Sequence, residues 1–366
     1  MALTIYPPSP IVWGLSTRAG QGNREKAEIE TMTEGMKNSK GAKPLLTIAI
    51  PTYNRVRYLR ELLSVLFNQL LSEPRVELIV SDNASPDDTP QVVEEYQRRG
   101  LQIRSIRHET NIGADANFLQ CFEKSRGKYV WIFGDDDVIV EGGVAAILSI
   151  CEADEYDILY VDHFAVGEVY EPRTYKAGRT PIKMTSSKDF VRRVNVFLTF
   201  ISGNIINKDR IEASAPPSYA GYVGTQIIQL AWISEALNVF QRGLYIQDKI
   251  VGARPYSSVS YNLFKVFAEN LKKITDERLH SDTLKRIMLE RTARRYWPAL
   301  LFNYRVFKGG RGNDAGERAI MTGAFGSILS FWLFVYPILV LPIRLAAVWL
   351  FFVRVMNRIL KAVTVF

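Results

Sequence analysis

Apolar and polar positions along this chain switch repeatedly between the period of a strand and that of a helix. Leu45-Leu46-Thr47-Ile48-Ala49-Ile50 is a nearly continuous apolar run that stops at Pro51-Thr52-Tyr53-Asn54-Arg55, the pattern of a buried strand ending in a turn. Tyr58, Leu59, Leu62, Leu63, Leu66 and Leu70 follow at three- and four-residue spacing, which predicts a helix with one apolar face. Val76 to Ser81 reads as a second strand, ending at Asp82-Asn83-Ala84-Ser85. Ser85 with Pro86 after it predicts a helix capped at Ser85, packed through Val92, Val93 and Tyr96 and stopped at Gly100. A third strand is expected from about Gln102 to Arg107, then Asn111-Ile112-Gly113 and a helix through Phe118 and Phe122. A fourth, Tyr129-Val130-Trp131-Ile132-Phe133, opens onto Gly134-Asp135-Asp136-Asp137.

Strands and helices joined by short connections predict an α/β fold, a mostly parallel sheet flanked by helices on both faces. Each polar cluster follows a strand, so Asn54, Asp82, Asn111 and the three aspartates should gather along the carboxyl edge, where open α/β sheets bind ligands. Three adjacent carboxylates repel one another. A hard divalent cation, Mg²⁺ or Mn²⁺, would give a fold reason to place them together; a solvated acidic turn is the alternative. A dinucleotide-dependent oxidoreductase would need a glycine-rich turn after its first strand, and this strand leads into Pro51-Thr52-Tyr53-Asn54 instead.

Charge changes the picture only at the end of the chain. The net charge is +8, yet from residue 265 onward there are 17 Lys or Arg against 7 Asp or Glu, so the positive excess belongs to the tail. There it is interleaved with apolar stretches, and no nucleic-acid-binding motif accompanies it, so a membrane surface is the expected partner rather than nucleic acid. No charged residue falls between Arg318 and Arg344, but Gly323, Gly326, Pro337 and Pro342 interrupt that stretch. Helices lying in the membrane interface are therefore expected, with a transmembrane span and an oligomer interface as the other readings. The expected organisation is a poorly ordered leader over residues 1–43, an α/β domain over 44–260, and a helical, basic and apolar membrane-associating region over 261–366. The first residues lack the basic-then-apolar pattern of a secretory signal. Cys121 and Cys151 are not in a metal-spaced pair and read as reduced core thiols.

Four motifs in order, Ile48 to Arg55, Ile79 to Ser85, Asn111 to Asn117 and Gly134 to Asp137, resemble those of family 2 glycosyltransferases with the GT-A fold. Phe200 to Lys208, Gly221 to Gln226 and Tyr261 to Phe267 look like the abequosyltransferase-type branch that decorates bacterial O-antigen. The resemblance implies that Pro51, Thr52, Tyr53, Asn54, Asp82, Asn111, Gly113, Asp135 and Asp136 bind a nucleotide-sugar. Asp135 and Asp137 would be the outer members of the Asp-x-Asp motif that holds Mg²⁺ or Mn²⁺. Asp137 would coordinate directly, and Asp135 would lie nearer the ribose or a metal-bound water.

The implied reaction inverts the anomeric carbon and calls for a general base. Here the chain departs from the family: where a Glu-Asp pair is usual, it reads Gly224-Thr225-Gln226-Ile227-Ile228-Gln229-Leu230. Asp162, His163, Asp189 and Glu235 are the remaining candidates, and Ser202, Gly203, Asn204 and Thr225 are candidate acceptor contacts. The implied acceptor is a polyprenyl-diphosphate-linked saccharide, and the implied place is the cytoplasmic face of the bacterial inner membrane. A non-catalytic nucleotide-sugar binder of the same fold is the rival reading.

Overall fold

A computed structural model describes residues 42–254, 262–309 and 315–363, with side chains described as far as 359. The expected leader lies outside these residues but for its last two positions, and so does Tyr261. The sheet is built from β1 (Leu46–Thr52), β2 (Val76–Asp82), β3 (Ile103–Arg107), β4 (Tyr129–Ile132), β5 (Val138–Ile139), β6 (Ile158–Ala165), β7 (Ile182–Met184), β8 (Asn204–Asn207) and β9 (Gly243–Ala253). Its order is β3-β2-β1-β4-β8-β6-β9-β5, with β7 also on β9.

The expected parallel arrangement holds for β3-β2-β1-β4. Beyond β4 the sheet is mixed: β8 runs antiparallel to both β4 and β6, and β9 is parallel to β6 but antiparallel to β5 and β7. The reversal at β8 has a local cause. This strand starts from the Ile201–Gly203 turn, at the edge where β4 ends, and runs away from it. It thereby carries Ser202 up to Gly134.

The helices of the first half are α1 (Val56–Leu70), α2 (Thr89–Arg98), α3 (Ala114–Lys124) and α4 (Gly143–Ala153). Leu59, Leu62, Leu63 and Leu66 of α1 are fully buried, each contributing about 2 kcal/mol through removal from water. Alternation in β1 divides the core. Leu46, Ile48 and Ile50 join the apolar cluster of α1, α2 and α4, while Ala49 joins the other. The second cluster is covered by α5 (Ser187–Val194), α6 (Lys208–Glu212), α7 (Gln229–Asn238) and the tail.

One expectation is corrected here. The second helix starts at Thr89 behind Asp88, not at Ser85, because the Ser85 hydroxyl instead accepts the Asn54 backbone N–H at 2.9 Å. In the tail, α8 (Leu271–Arg278), α9 (Asp282–Arg291), α10 (Trp297–Phe307), α11 (Ala315–Phe325), α12 (Tyr336–Val340) and α13 (Ile343–Val363) continue the compact body. Trp297, Phe325, Phe331, Ile338 and Ala346 are buried in the same cluster as Ala49 and Val130. Among the described residues no helix is long and apolar enough to cross a membrane. Both cysteines are buried and free.

Candidate active site

Register brings the polar turns level. Thr52 pairs with Asp82, and Asp82 with Arg107, so β1, β2 and β3 end side by side. The Phe133 N–H donates to the Ala49 carbonyl at 2.8 Å, which sets the aspartate turn beside the end of β1. These turns are then cross-linked by side chains. The Val56 N–H donates to Asp87 at 2.9 Å, alongside the Asn54–Ser85 bond. Asn83 donates to the Asn111 side chain and accepts the Ile112 N–H, both at 2.9 Å. Asn54 and Ala84 both hold a positive φ, 53° and 61°. Such backbone strain in non-glycine residues clusters at functional sites.

The three aspartates lie inside this edge, not in bulk water: Asp135 is 4 % exposed, Asp136 9 % and Asp137 6 %. Asp135 accepts from the Thr52 hydroxyl at 2.8 Å and from Arg55 at 3.0 Å, and the same Arg55 nitrogen lies 3.1 Å from Asp136. Burial pulls the Arg55 guanidinium down, and Asp135 and Asp136 more than offset it, holding it above its ordinary value. Burial pushes the Asp135 carboxyl up to about 6. It pushes Asp137 up to about 7, with the neighbouring Asp136 charge adding to the effect and the Ser202 hydroxyl opposing it.

Arg254, at the end of β9, closes the cluster from behind. Its backbone N–H donates to Asp137 at 3.1 Å and its guanidinium to the Asp136 carbonyl at 2.7 Å, while it also pairs with Glu61 and covers the Tyr58 ring. Sequence reasoning missed both Arg254 and the neutralising role of Arg55. Arg55 stands in the first motif, where its positive charge beside three acids was the available signal. Arg254 lies 117 residues from Asp137, and nothing local to it marks the contact.

Which oxygens remain available decides whether these residues suit a divalent cation. Asp135 spends both of its oxygens on Thr52 and Arg55. Asp136 Oδ1 and Asp137 Oδ2 converge over Gly134. A Cβ there would lie 3.1 Å from the first, 3.2 Å from the second and 3.3 Å from Ser202 Oγ. Paired hard oxygens in an incompletely neutralised site fit Mg²⁺ or Mn²⁺. Among the described residues, no three His, Cys, Asp or Glu side chains stand close enough to hold an ion by themselves.

The expected donor residues divide into two groups. Tyr53 is 43 % exposed, and Asn54, Asn111 and Gly113 are also exposed beside it, the last at φ 89° with open space around it. Asp82 is buried: one oxygen accepts the Ser85 N–H at 2.9 Å, and the other has no hydrogen-bond partner among the described residues, with Arg107 3.6 Å away. A cavity of about 260 Å³ opens beside it, lined also by Pro90, Val93, Ser105 and Arg107. Pro51, by contrast, is a buried strand residue paired with Ser81.

Among the acceptor candidates, only Ser202 reaches the aspartates. Its hydroxyl accepts the Gly134 N–H at 2.8 Å, and its carbonyl accepts the Trp131 indole N–H at 2.8 Å. Gly203 is packing: a Cβ would come within 2.8 Å of the Phe200 ring and 2.9 Å of the Tyr160 ring. The Asn204 amide is used on the Leu198 and Phe200 carbonyls, and the Thr225 hydroxyl on Tyr222. The Gly224–Gln226 turn instead clamps Asp115, which accepts the Gln226 N–H at 2.7 Å.

Two base candidates are likewise committed elsewhere. Asp189 is on the surface of α5, bonded to Arg192 at 2.8 Å. Glu235 is buried in α7 against Arg278 at 3.3 Å. Asp162 and His163 lie at the β6 irregularity, where the His163 ring is 4.8 Å from the Phe200 ring, next to the Ser202 turn. Burial lowers the His163 pKa, so its imidazole is neutral near pH 7 and able to accept a proton.

Comparison with known proteins bears on the segment that builds this edge. Residues 47–211 match the profile of Glycosyl transferase family 2. That segment, a little under half of the chain, is similar to a family 2 glycosyltransferase domain. The chain is 35 % identical over 124 residues to the abequosyltransferase RfbV of Salmonella typhimurium, a stretch covering 34 % of this chain and 37 % of that protein. It is 28 % identical over 116 residues to the poly(ribitol-phosphate) β-N-acetylglucosaminyltransferase TarS of Staphylococcus aureus, covering 31 % of this chain and 20 % of TarS. The aligned segments thus span well under half of these curated relatives. The crystal structure of S. aureus TarS 1–349 in complex with UDP-GlcNAc superposes with a TM-score of 0.57 at 20 % identity, over 77 % of this chain and 80 % of that one. That likeness shows the GT-A-like fold.

Proposed function

We propose that the protein is an inverting glycosyltransferase that uses Mg²⁺ or Mn²⁺. It moves a sugar from a nucleotide-sugar to a hydroxyl of a polyprenyl-diphosphate-linked saccharide in the synthesis of a bacterial surface polysaccharide. The observation that carries this reading is the buried aspartate turn, tied through Thr52 and Arg55 to the end of β1, where Tyr53 follows and Asp82 of β2 lies alongside. The activities named for RfbV and TarS, and the UDP-GlcNAc held by TarS, support the donor class.

Tyr53 gives an exposed ring on which a base can stack, and the unpartnered Asp82 oxygen is an acceptor for a base or ribose donor. Asp137, with Asp136 Oδ1 beside it, would hold the cation. Asp135, fixed by Thr52 and Arg55, faces the ribose side. A bound divalent cation would neutralise the diphosphate as it leaves. The acceptor oxygen forms its bond to the anomeric carbon as the bond from that carbon to the diphosphate breaks, and the acceptor proton passes to a base. His163, neutral and beside the Ser202 turn, is the base we assign, with Asp162 next to it.

The exposed Leu345, Val348, Phe351 and Phe352 of α13, flanked by exposed Arg344, Arg354 and Arg358, support a membrane surface as partner. This agrees with a place at the cytoplasmic face of the bacterial inner membrane. The test is a screen of nucleotide-sugars for thermal stabilisation with and without Mn²⁺, then transfer to lipid extracts by the wild type and Asp137→Asn. Stabilisation followed by transfer that Asp137→Asn lacks is the expected result. Binding without turnover by the wild type would make the protein a nucleotide-sugar binder instead.

A further inference from the structure

A group of arginines stands where the tail helices meet the wall that carries Ser202. Arg291 ends α9, and Arg294 and Arg295 follow in a π-helical turn, Thr292–Tyr296. Arg192 is on α5, which packs against α9, and its charge acts on Arg291. Among the described residues neither Arg291 nor Arg295 forms an ion pair. Arg294 donates to the neutral Asn357 side chain at 2.7 Å and lies over the Phe334 ring. The nearby acids are few: Asp189 pairs with Arg192, and Glu290 accepts from Ser330 at 3.4 Å. Burial lowers the pKa of Arg291 and Arg294, and repulsion adds to it, from Arg295 and Arg192 on Arg291 and from Arg291 on Arg294, with Glu290 offsetting only part of the effect. Holding these cations together is unfavourable unless an anion joins them.

The position of the cluster indicates which anion. The Thr292 hydroxyl donates to the Asn195 side chain at 3.0 Å, one residue from Val196 and two from Phe197. Phe197 and Phe200 flank the His163 ring, and Ser202 comes next. On its other side Arg294 is joined to Asn357 of α13, the helix with the exposed apolar face. The arginines therefore lie between the wall of the reaction cleft and that helix. A ligand reaching from a membrane to the cleft would pass its phosphate groups here. Guanidinium groups are suited to phosphate by their planar, paired donors.

We propose that Arg192, Arg291 and Arg295 form a binding site for the diphosphate of a lipid-linked acceptor, holding it so that the attached sugar reaches the Ser202–Asp137 cleft. The inference rests on the acceptor class proposed above. The same chemistry would accept soluble pyrophosphate or an anionic headgroup, and the test separates them.

Full-length wild type and the double variant Arg291→Gln/Arg295→Gln are compared for binding to three probes. These are phosphatidylcholine vesicles doped with polyprenyl diphosphate, vesicles of equal charge doped with phosphatidylglycerol, and inorganic pyrophosphate. Nucleotide binding with Mn²⁺ is measured on the same samples. The wild type is expected to prefer the diphosphate vesicles by about tenfold or more over the phosphatidylglycerol vesicles, with the variant losing that preference. Its nucleotide affinity should be unchanged and its melting temperature at least as high, because like charges have been removed. Equal binding to both vesicle types, or a variant that keeps the preference, would overturn the proposal. Competition by pyrophosphate at a concentration that leaves phosphatidylglycerol binding intact supports a diphosphate site. A wild type that prefers diphosphate vesicles but binds no nucleotide would sink the donor assignment and leave the arginine site standing.

Discussion

Replacing Arg55 by methionine tests the electrostatic logic of the aspartate turn directly. The guanidinium lies 3.0 Å from Asp135 and 3.1 Å from Asp136, and removing it leaves two buried carboxylates facing each other. Breaking a buried pair by deleting one partner costs about 3 to 5 kcal/mol. The Arg55 side chain is about one-fifth exposed, so solvent screening brings that to about 2 to 3 kcal/mol. The cost depends on pH because Asp135 can escape it by taking up a proton. Its carboxyl, already pushed up to about 6 by burial with Arg55 present, rises further once that stabilising charge has gone. A carboxyl whose folded pKa lies above its unfolded value binds the proton more tightly in the native state. Stability is therefore lost as pH rises, from the unfolded pKa up through the folded one. In the wild type the part of that loss due to Asp135 is complete a little above pH 6, while the part due to Asp137 runs on past 7 in both proteins. In Arg55→Met the Asp135 part continues, at about 1.4 kcal/mol per pH unit. The two proteins should thus be close in stability at pH 6 and differ by about 2 to 3 kcal/mol at pH 8. Urea unfolding at both pH values reads the difference, and Arg55→Met/Asp135→Asn should recover most of it. A penalty equal at both pH values, unrelieved by the second substitution, would show that Arg55 acts by packing and not by charge.

Three further outcomes follow from the same geometry. Gly134→Ala pushes a methyl group against Asp136 Oδ1, Asp137 Oδ2 and Ser202 Oγ at 3.1 to 3.3 Å; transfer kinetics should show kcat down about tenfold with little change in melting temperature. His163→Gln should lower kcat by about 100-fold and remove the acidic limb of the pH–rate profile, whereas Asp189→Asn, out on the α5 surface, should leave that limb in place. Glu235→Ala strands Arg278, itself buried and stacked on Tyr219 and Tyr222. Urea unfolding should show a loss of about 3 kcal/mol, which would mark Glu235 as structural.

Much of this fold could be read along the chain because its first half is local. β1, β2 and β4 are short, largely apolar runs, each helix carries its own apolar stripe, and the connections are short. Parallel pairing with level strand ends then places Tyr53, Asp82, Asn111 and Asp135 to Asp137 on one edge without any long-range information. What pattern could not supply was the neutralisation of that edge. Local sequence says nothing of the backbone N–H of Arg254 meeting Asp137, or of Ser202 arriving at Gly134 on an antiparallel strand. Both depend on where β8 and β9 insert into the sheet. The candidate base and acceptor residues illustrate the same limit. Asp189, Glu235, Asn204 and Thr225 carry suitable chemistry, but a carboxylate or amide reveals its role only through its partners. Theirs proved to be Arg192, Arg278, nearby backbone carbonyls and Tyr222. The tail shows it at larger scale: its apolar residues could have met lipid, another chain or this chain's own sheet. Phe325, Phe331 and Ile338 are buried on the sheet's cover, while Leu345, Val348 and Phe351 are left facing outward. Periodicity determines which face of an element is apolar; only the packing of distant elements decides what that face touches.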